Sequence, residues 1–143
     1  MGIDFLIRYK KPRYSAWLSY SHLVSEYTFE TLEPLPFPTN FDTTHAFTFG
    51  ATYNSSFLNL ATGLNYRTGI PTSIPLENQP DNNTIVFAST NTARLTNFLR
   101  LDASAYIKQS LSENIKSEIG ASVWNVTNQQ NELNNFIHEN TII

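Results

Sequence analysis

Apolar and polar positions alternate with a period of two along most of the chain. Ile3, Phe5, Ile7 and Tyr9 interleave with Asp4, Leu6, Arg8 and Lys10. Ser15, Ser19 and Ser21 interleave with Tyr14, Ala16, Leu18 and Tyr20. The same beat runs through His45, Phe47, Phe49, Ala51 and Tyr53, through Leu58, Leu60, Leu64 and Tyr66, through Leu99, Leu101, Ala103, Ala105 and Ile107, and through Ile115, Ile119, Ala121 and Val123. Successive side chains of a strand point to opposite faces, so each stretch predicts a strand with two unlike faces. Six strands are expected, near residues 2–10, 14–29, 43–53, 57–68, 98–109 and 115–126. One face should carry Phe47, Phe49, Leu58, Leu60, Leu99, Leu101, Ile119 and Val123. The other should carry Thr48, Asn59, Arg67, Arg100, Asp102 and Glu118. Residues 103–119 fit a helical period only if the clean alternation on both sides is ignored, so no helix is expected.

The connections add a second regularity. Those at 10–13, 54–56 and 110–114 are short. Those at 30–42, 69–97 and after 127 are long and rich in Pro, Asn, Thr and Gln. Short and long alternate strictly. Structureless loops of this length are uncommon in compact soluble domains. Outer-membrane barrels instead join their strands by short periplasmic turns and long extracellular loops.

Composition sharpens the same picture. Only 15% of the 143 residues are charged, against roughly 25% in an average soluble domain, while 41% are hydrophobic, which excludes compositional disorder. A formal net charge of -3 leaves no basic footprint for nucleic acid and no polybasic patch for anionic lipid. With no cysteine, disulfides, thiolate zinc sites and cysteine nucleophiles are excluded. No run of about 18 apolar residues is present, as a membrane-crossing helix would need. The opening Met-Gly-Ile-Asp-Phe lacks the basic, apolar and small-residue segments of a signal peptide. The chain is therefore expected either to stay inside the cell or to be an internal piece of something longer. Aromatic residues cluster towards strand ends: Tyr9, Tyr14, Trp17, Tyr53, Phe57 and Tyr106 near the short turns, and Tyr27, Phe29, Tyr66, Phe98 and Trp124 towards the long loops. Two such belts around a band of Leu, Ile and Ala match the interfacial girdles of a membrane barrel.

Five segments in order carry a family likeness: RYKKPRYSAWLSYS, FPTNFDTTHAFTFGATY, LNYRTGIP, FLRLDASAYIK and SVWNVTNQQN. Together they resemble the C-terminal third of the barrel in TonB-dependent receptors of Gram-negative outer membranes. In that family a segment such as Trp124-Asn125-Val126-Thr127-Asn128 marks the next-to-last strand. The resemblance implies an all-β fold, an antiparallel meander of about six strands forming part of a transmembrane outer-membrane β-barrel. It implies that residues 1–143 are a partial barrel domain without the family's plug and final strand. Large transporters of this kind close about 22 strands around a plugged lumen. The implied partners are outer-membrane lipid, the rest of the barrel and plug, the inner-membrane TonB complex reached through the plug, and an extracellular nutrient such as a metal chelate or an oligosaccharide. Nucleic acid is not among them.

Candidate chemistry is sparse. Asp42 and His45 stand three apart, a spacing open to a metal or acid-base pair, but no third ligand or nucleophile is near in sequence, and catalytic zinc takes three protein ligands. A structural role is expected for both. His22 and His138 stand alone in the sequence and are read as solvated or lumen-facing. Arg100 and Asp102 share one face with Arg67. Charge facing lipid costs a few kcal/mol at the midplane, so this set should point inward, each charge paired to a neighbouring strand in a lumen ladder. Glu30, Glu33, Asp81 and Arg94 fall in long loops, where ligand-binding residues are often found; solvated charge is the simpler expectation for each. Asn54, Asn82 and Asn125 begin Asn-x-Ser/Thr patterns, which arise by chance in so Asn- and Thr-rich a chain. No phosphate loop, Ser-His-Asp set or carboxylate dyad is visible. The chain is expected to be no enzyme, to need no cofactor and to hold no metal. The rival readings are another porin-type barrel, a soluble β-sandwich or lipocalin-like binding module, and a barrel enzyme.

Overall fold

The computed structural model describes residues 1–78 and 85–134. Its strands are β1 (Gly2–Lys10), β2 (Tyr14–Leu23), β3 (Glu26–Tyr27), β4 (Phe37–Pro38), β5 (His45–Asn54), β6 (Leu58–Arg67), β7 (Pro71–Thr72), β8 (Ala93–Arg94), β9 (Phe98–Ser110) and β10 (Lys116–Val123). No helix occurs among the described residues. The six long strands form one antiparallel sheet in the order β1-β2-β5-β6-β9-β10. Each long strand thus pairs with the long strand next to it in the chain. The sheet does not close, and β1 and β10 are its edges.

The turns explain the tight connections. Lys11 N donates to Tyr14 O at 2.7 Å, with Pro12 between them. Ser55 N donates to Leu58 O, and Leu58 N returns a bond to Ser55 Oγ at 2.9 Å. Leu111 N donates to Ile115 O at 2.9 Å. Because the sheet is a simple meander, these three turns lie at one end and the long connections at the other.

The register sorts side chains as the alternation predicts. Tyr20↔Phe47, Phe47↔Tyr66 and Tyr66↔Leu99 are directly opposed, and so are Leu18↔Phe49, Phe49↔Leu64 and Leu64↔Leu101. Ile107 faces both Leu58 and Ile119, and Val123 faces Ala103. Opposed residues share a face, so all eight expected apolar positions lie together. Thr48, Asn59, Arg67, Arg100, Asp102 and Glu118 lie on the other face.

Two strands are shorter than expected. The alternation of residues 14–29 ends at Leu23 because the Ser25 N–H is taken by the Asp42 carboxylate at 3.0 Å. Glu26–Tyr27 then pairs with Phe37–Pro38 in a separate ladder. The strand expected over 115–126 stops at Val123. Asn125 adopts φ 53° and Asn128 φ 51°, a left-handed conformation that Asn tolerates better than most residues, and Asn125 N donates to Asp102 Oδ1 at 2.9 Å.

The sheet is a single layer, and none of its six long strands contributes a buried hydrophobic side chain. The buried hydrophobic residues, Phe37 and Leu95, lie among the long connections, as do the buried polar residues Thr39, Asp42 and Asn91. Meanwhile Ile7 is 64% exposed and Ile119 69%. Side chains of this kind favour burial by about 1.5–3 kcal/mol each.

Candidate functional site: the loop end and the two faces of the sheet

The long connections form a tied assembly over one end of the sheet. Its hub is the Asp42 carboxylate. Oδ1 accepts from Ser25 N at 3.0 Å, and Oδ2 accepts from Thr44 Oγ1 at 3.2 Å and from Arg94. Arg94 also donates to Asp42 O at 2.9 Å and to Gly69 O at 3.0 Å. Burial pushes the Asp42 carboxyl up, but the hydrogen bonds from Arg94, Ser25 and Thr44 and the charge of Arg94 outweigh it, holding the pKa below 3.8. The sequence raised Asp42 and His45 as a candidate pair but expected a structural role for both; the structure ties Asp42 to Arg94. Arg94, expected to be solvated, is an anchor.

Other ties reinforce the hub. Asn91, at φ 56°, donates through Nδ2 to Pro38 O at 2.8 Å and to Asn40 Oδ1 at 2.6 Å. Thr90 N donates to Glu33 at 2.8 Å, and Thr96 donates to Glu132 through N and Oγ1. Glu33 and Glu132 are therefore loop fasteners, while Glu30 is exposed. Asp81, His138 and the Asn82 pattern lie outside the described residues. A recess of about 430 Å³, bordered by Asn40, Phe41, Ser73 and Asn91, opens at this end. Phe41 is 80% exposed at its rim.

On the polar face, near the loops, two arginines lie over aromatic rings. The Arg67 guanidinium carbon is 4.9 Å from the Phe98 ring centre, and that of Arg100 is 5.5 Å from Trp124. Arg100 Nε donates to Asp102 Oδ1 at 2.9 Å. The expected cross-strand ladder is absent here, because Arg100 and Asp102 are two apart on the same side of one strand and satisfy each other. A true cross-strand pair occurs lower down, between Lys108 and Glu118 at 4.0 Å.

The histidines and aromatics also differ from expectation. His22 stacks on His45, with ring centres 5.0 Å apart. Both belong to the apolar face by register, so His22 is neither alone nor on the face of Arg67. His45 Nδ1 is 2.9 Å from the Tyr20 hydroxyl, and His22 Nδ1 donates to Thr44 O. Among the described residues no cluster of three His, Cys, Asp or Glu could hold a metal. Trp17, Phe98 and Tyr106, counted in the belts from sequence, sit on the polar face. The apolar face has its own belts: Phe5, Tyr20, Phe47 and Tyr66 in one row near the loops, and Tyr9, Tyr14 and Tyr53 near the turns. Tyr14 and Tyr53 touch, with ring centres 5.0 Å apart. Beside them small residues such as Ala51, Ala103, Ala105 and Ala121 leave a shallow, almost wholly apolar hollow of about 620 Å³.

No helix of the described residues is long and apolar enough to cross a membrane, which says nothing about strands. Comparison with known proteins finds no match: no family model, no curated protein and no solved structure matches the chain.

Proposed function

We propose that this chain is barrel wall and loop from an outer-membrane β-barrel, and that the whole barrel is a nutrient receptor of the TonB-dependent type. The observation that carries the reading is the pair of uncovered faces. One is mostly apolar, the other is mostly polar and charged, and among the described residues no second layer lies on either. In a bilayer the apolar face needs no protein cover, because lipid replaces it. Strand length supports this, since β1, β2, β5 and β6 run 9 or 10 residues, and a tilted strand crosses the hydrocarbon in about 9–11. The tyrosine and phenylalanine rows bound the apolar band on both sides, where aromatic girdles belong.

The receptor part of the reading rests on the sequence resemblance and on the end that holds the polar equipment. A tied loop assembly, an open recess and two ring-stacked arginines all lie at the long-connection end. That end would face outward and meet the nutrient, with Arg67 and Arg100 at the mouth of the lumen. Movement of the ligand across the membrane would depend on a plug and on the TonB complex.

The test is solubility. The 143-residue chain, diluted from urea, is expected to sediment as large aggregates in buffer and to become dispersed and β-rich in detergent micelles. Its exposed apolar face and unpaired edges invite association in water. A monodisperse monomer with cooperative unfolding in plain buffer would refute the reading and favour a soluble β-sandwich or lipocalin-like module.

A further inference from the structure

The charge on this sheet is segregated along the strand axis, although the chain as a whole is formally -3. Six of the nine Lys and Arg residues lie in the short turns or within three residues of them: Arg8, Lys10, Lys11, Arg13, Lys108 and Lys116. Among the described residues only two carboxylates, Glu113 and Glu118, share that end. The remaining described carboxylates lie in the long connections or the strand halves next to them. Lys11 and Arg13 are exposed on the β1–β2 turn, and neither forms an ion pair among the described residues. A second, independent feature is at the same end. Tyr9, Tyr14 and Tyr53 crown the apolar face there, and Tyr14 is the residue next to Arg13. Tyrosine in such a place sits at headgroup depth, with its ring in hydrocarbon and its hydroxyl in water.

We propose that the short-turn end of the sheet rests on a lipid leaflet carrying anionic phosphate headgroups, with Lys11 and Arg13 as its principal contacts. The inference rests on the membrane reading above and adds to it a lipid class and the residues that meet it. Charge complementarity selects the occupant. A net negative protein is repelled by an anionic surface as a whole, so attraction must come from a local cationic patch set where headgroups lie. A Debye length of about 8 Å in physiological salt screens the distant acidic loops at the other end more than it screens the contact itself.

The experiment is flotation of the whole chain, diluted from urea, with vesicles of phosphatidylcholine alone or with added phosphatidylglycerol. Each basic residue near an anionic surface contributes roughly fivefold in partitioning, the equivalent of about 1 kcal/mol. Wild type is expected to favour the anionic vesicles in low salt and to lose that preference in high salt. Lys11→Gln with Arg13→Gln should reduce the preference by about 25-fold while leaving flotation with phosphatidylcholine unchanged. Both side chains are exposed, so the double variant keeps the turn's backbone bond from Lys11 N to Tyr14 O. If wild type floats equally with both vesicles, or if the double variant keeps the preference, the inference falls and the membrane reading stands. If wild type floats with neither, the membrane reading falls and takes the inference with it.

Discussion

Asp42 shows how one side chain can organise a region that no local pattern describes. Its carboxylate is buried, 3% exposed, yet it terminates β2 through Ser25, steadies Thr44 and holds Arg94, 52 positions away. The sequence marks Asp42 as a residue of interest and expects a structural role for it, but offers only the nearest histidine as a neighbour, because proximity along the chain is all that a motif can see. Hydrogen bonds to charged groups contribute about 1.5–3 kcal/mol each. Asp42→Asn keeps the shape but removes the charge and weakens its bonds to Arg94. The loop assembly should lose about 2 kcal/mol, seen as roughly thirtyfold faster amide exchange at Ser25 and Leu95. Unchanged exchange at both would show that Asp42 is not the hub. The pH dependence has a definite sign. The Asp42 pKa is lowered from 3.8, so the folded state binds fewer protons than the unfolded one. Its stabilisation is fully present above about pH 4 and lost as pH falls through the depressed folded value. Protection measured across that range should fall with acid in wild type more than in Asp42→Asn.

Strands are the elements the sequence describes best, and the details it misses are contacts between strands. Trp17 lies directly opposite Gly50, and Tyr106 opposite Gly120. A Cβ placed on Gly50 would come within 2.4 Å of Trp17 Nε1, and one on Gly120 within 2.2 Å of Tyr106 Cδ1. Each ring therefore occupies the space beside the bare backbone of its partner, covering a glycine that would otherwise weaken the strand. Gly50→Ala should push the indole aside and cost about 1–3 kcal/mol, as overpacking does. Near-ultraviolet circular dichroism and Trp17 emission, in a Trp124→Phe background and in detergent, would report it. An unaltered Trp17 signal would mean that the ring does not rest on Gly50. Strand ends were misplaced at residues 24–29 and 124–126 for one shared reason: in both places an Asp side chain captures a backbone N–H that the next strand pair would need.

At the scale of the whole molecule the question is what covers an uncovered sheet. Leu64 and Asn65 are neighbours near the middle of β6 and face opposite ways, Leu64 opposing Phe49 and Leu101, Asn65 opposing Thr48 and Arg100. If lipid covers the apolar face, Leu64→Arg should weaken partitioning into neutral vesicles by about 2–4 kcal/mol, and Asn65→Arg should change it little. Equal effects from the two variants would remove the distinction between faces on which the membrane reading depends. By itself the sequence determined the strand type, the number of long strands and the division into an apolar and a polar face. That was possible because side-chain direction alternates by backbone geometry alone, so a period-two pattern is complete within each strand. The fastening of the long connections through Asp42–Arg94, Glu33–Thr90 and Asn91–Asn40, and the pairing of Arg100 with Asp102, were decided only by tertiary structure. Most of these contacts join residues tens of positions apart. Side chains there meet backbone groups or one another according to how the loops pack, and no local periodicity records that.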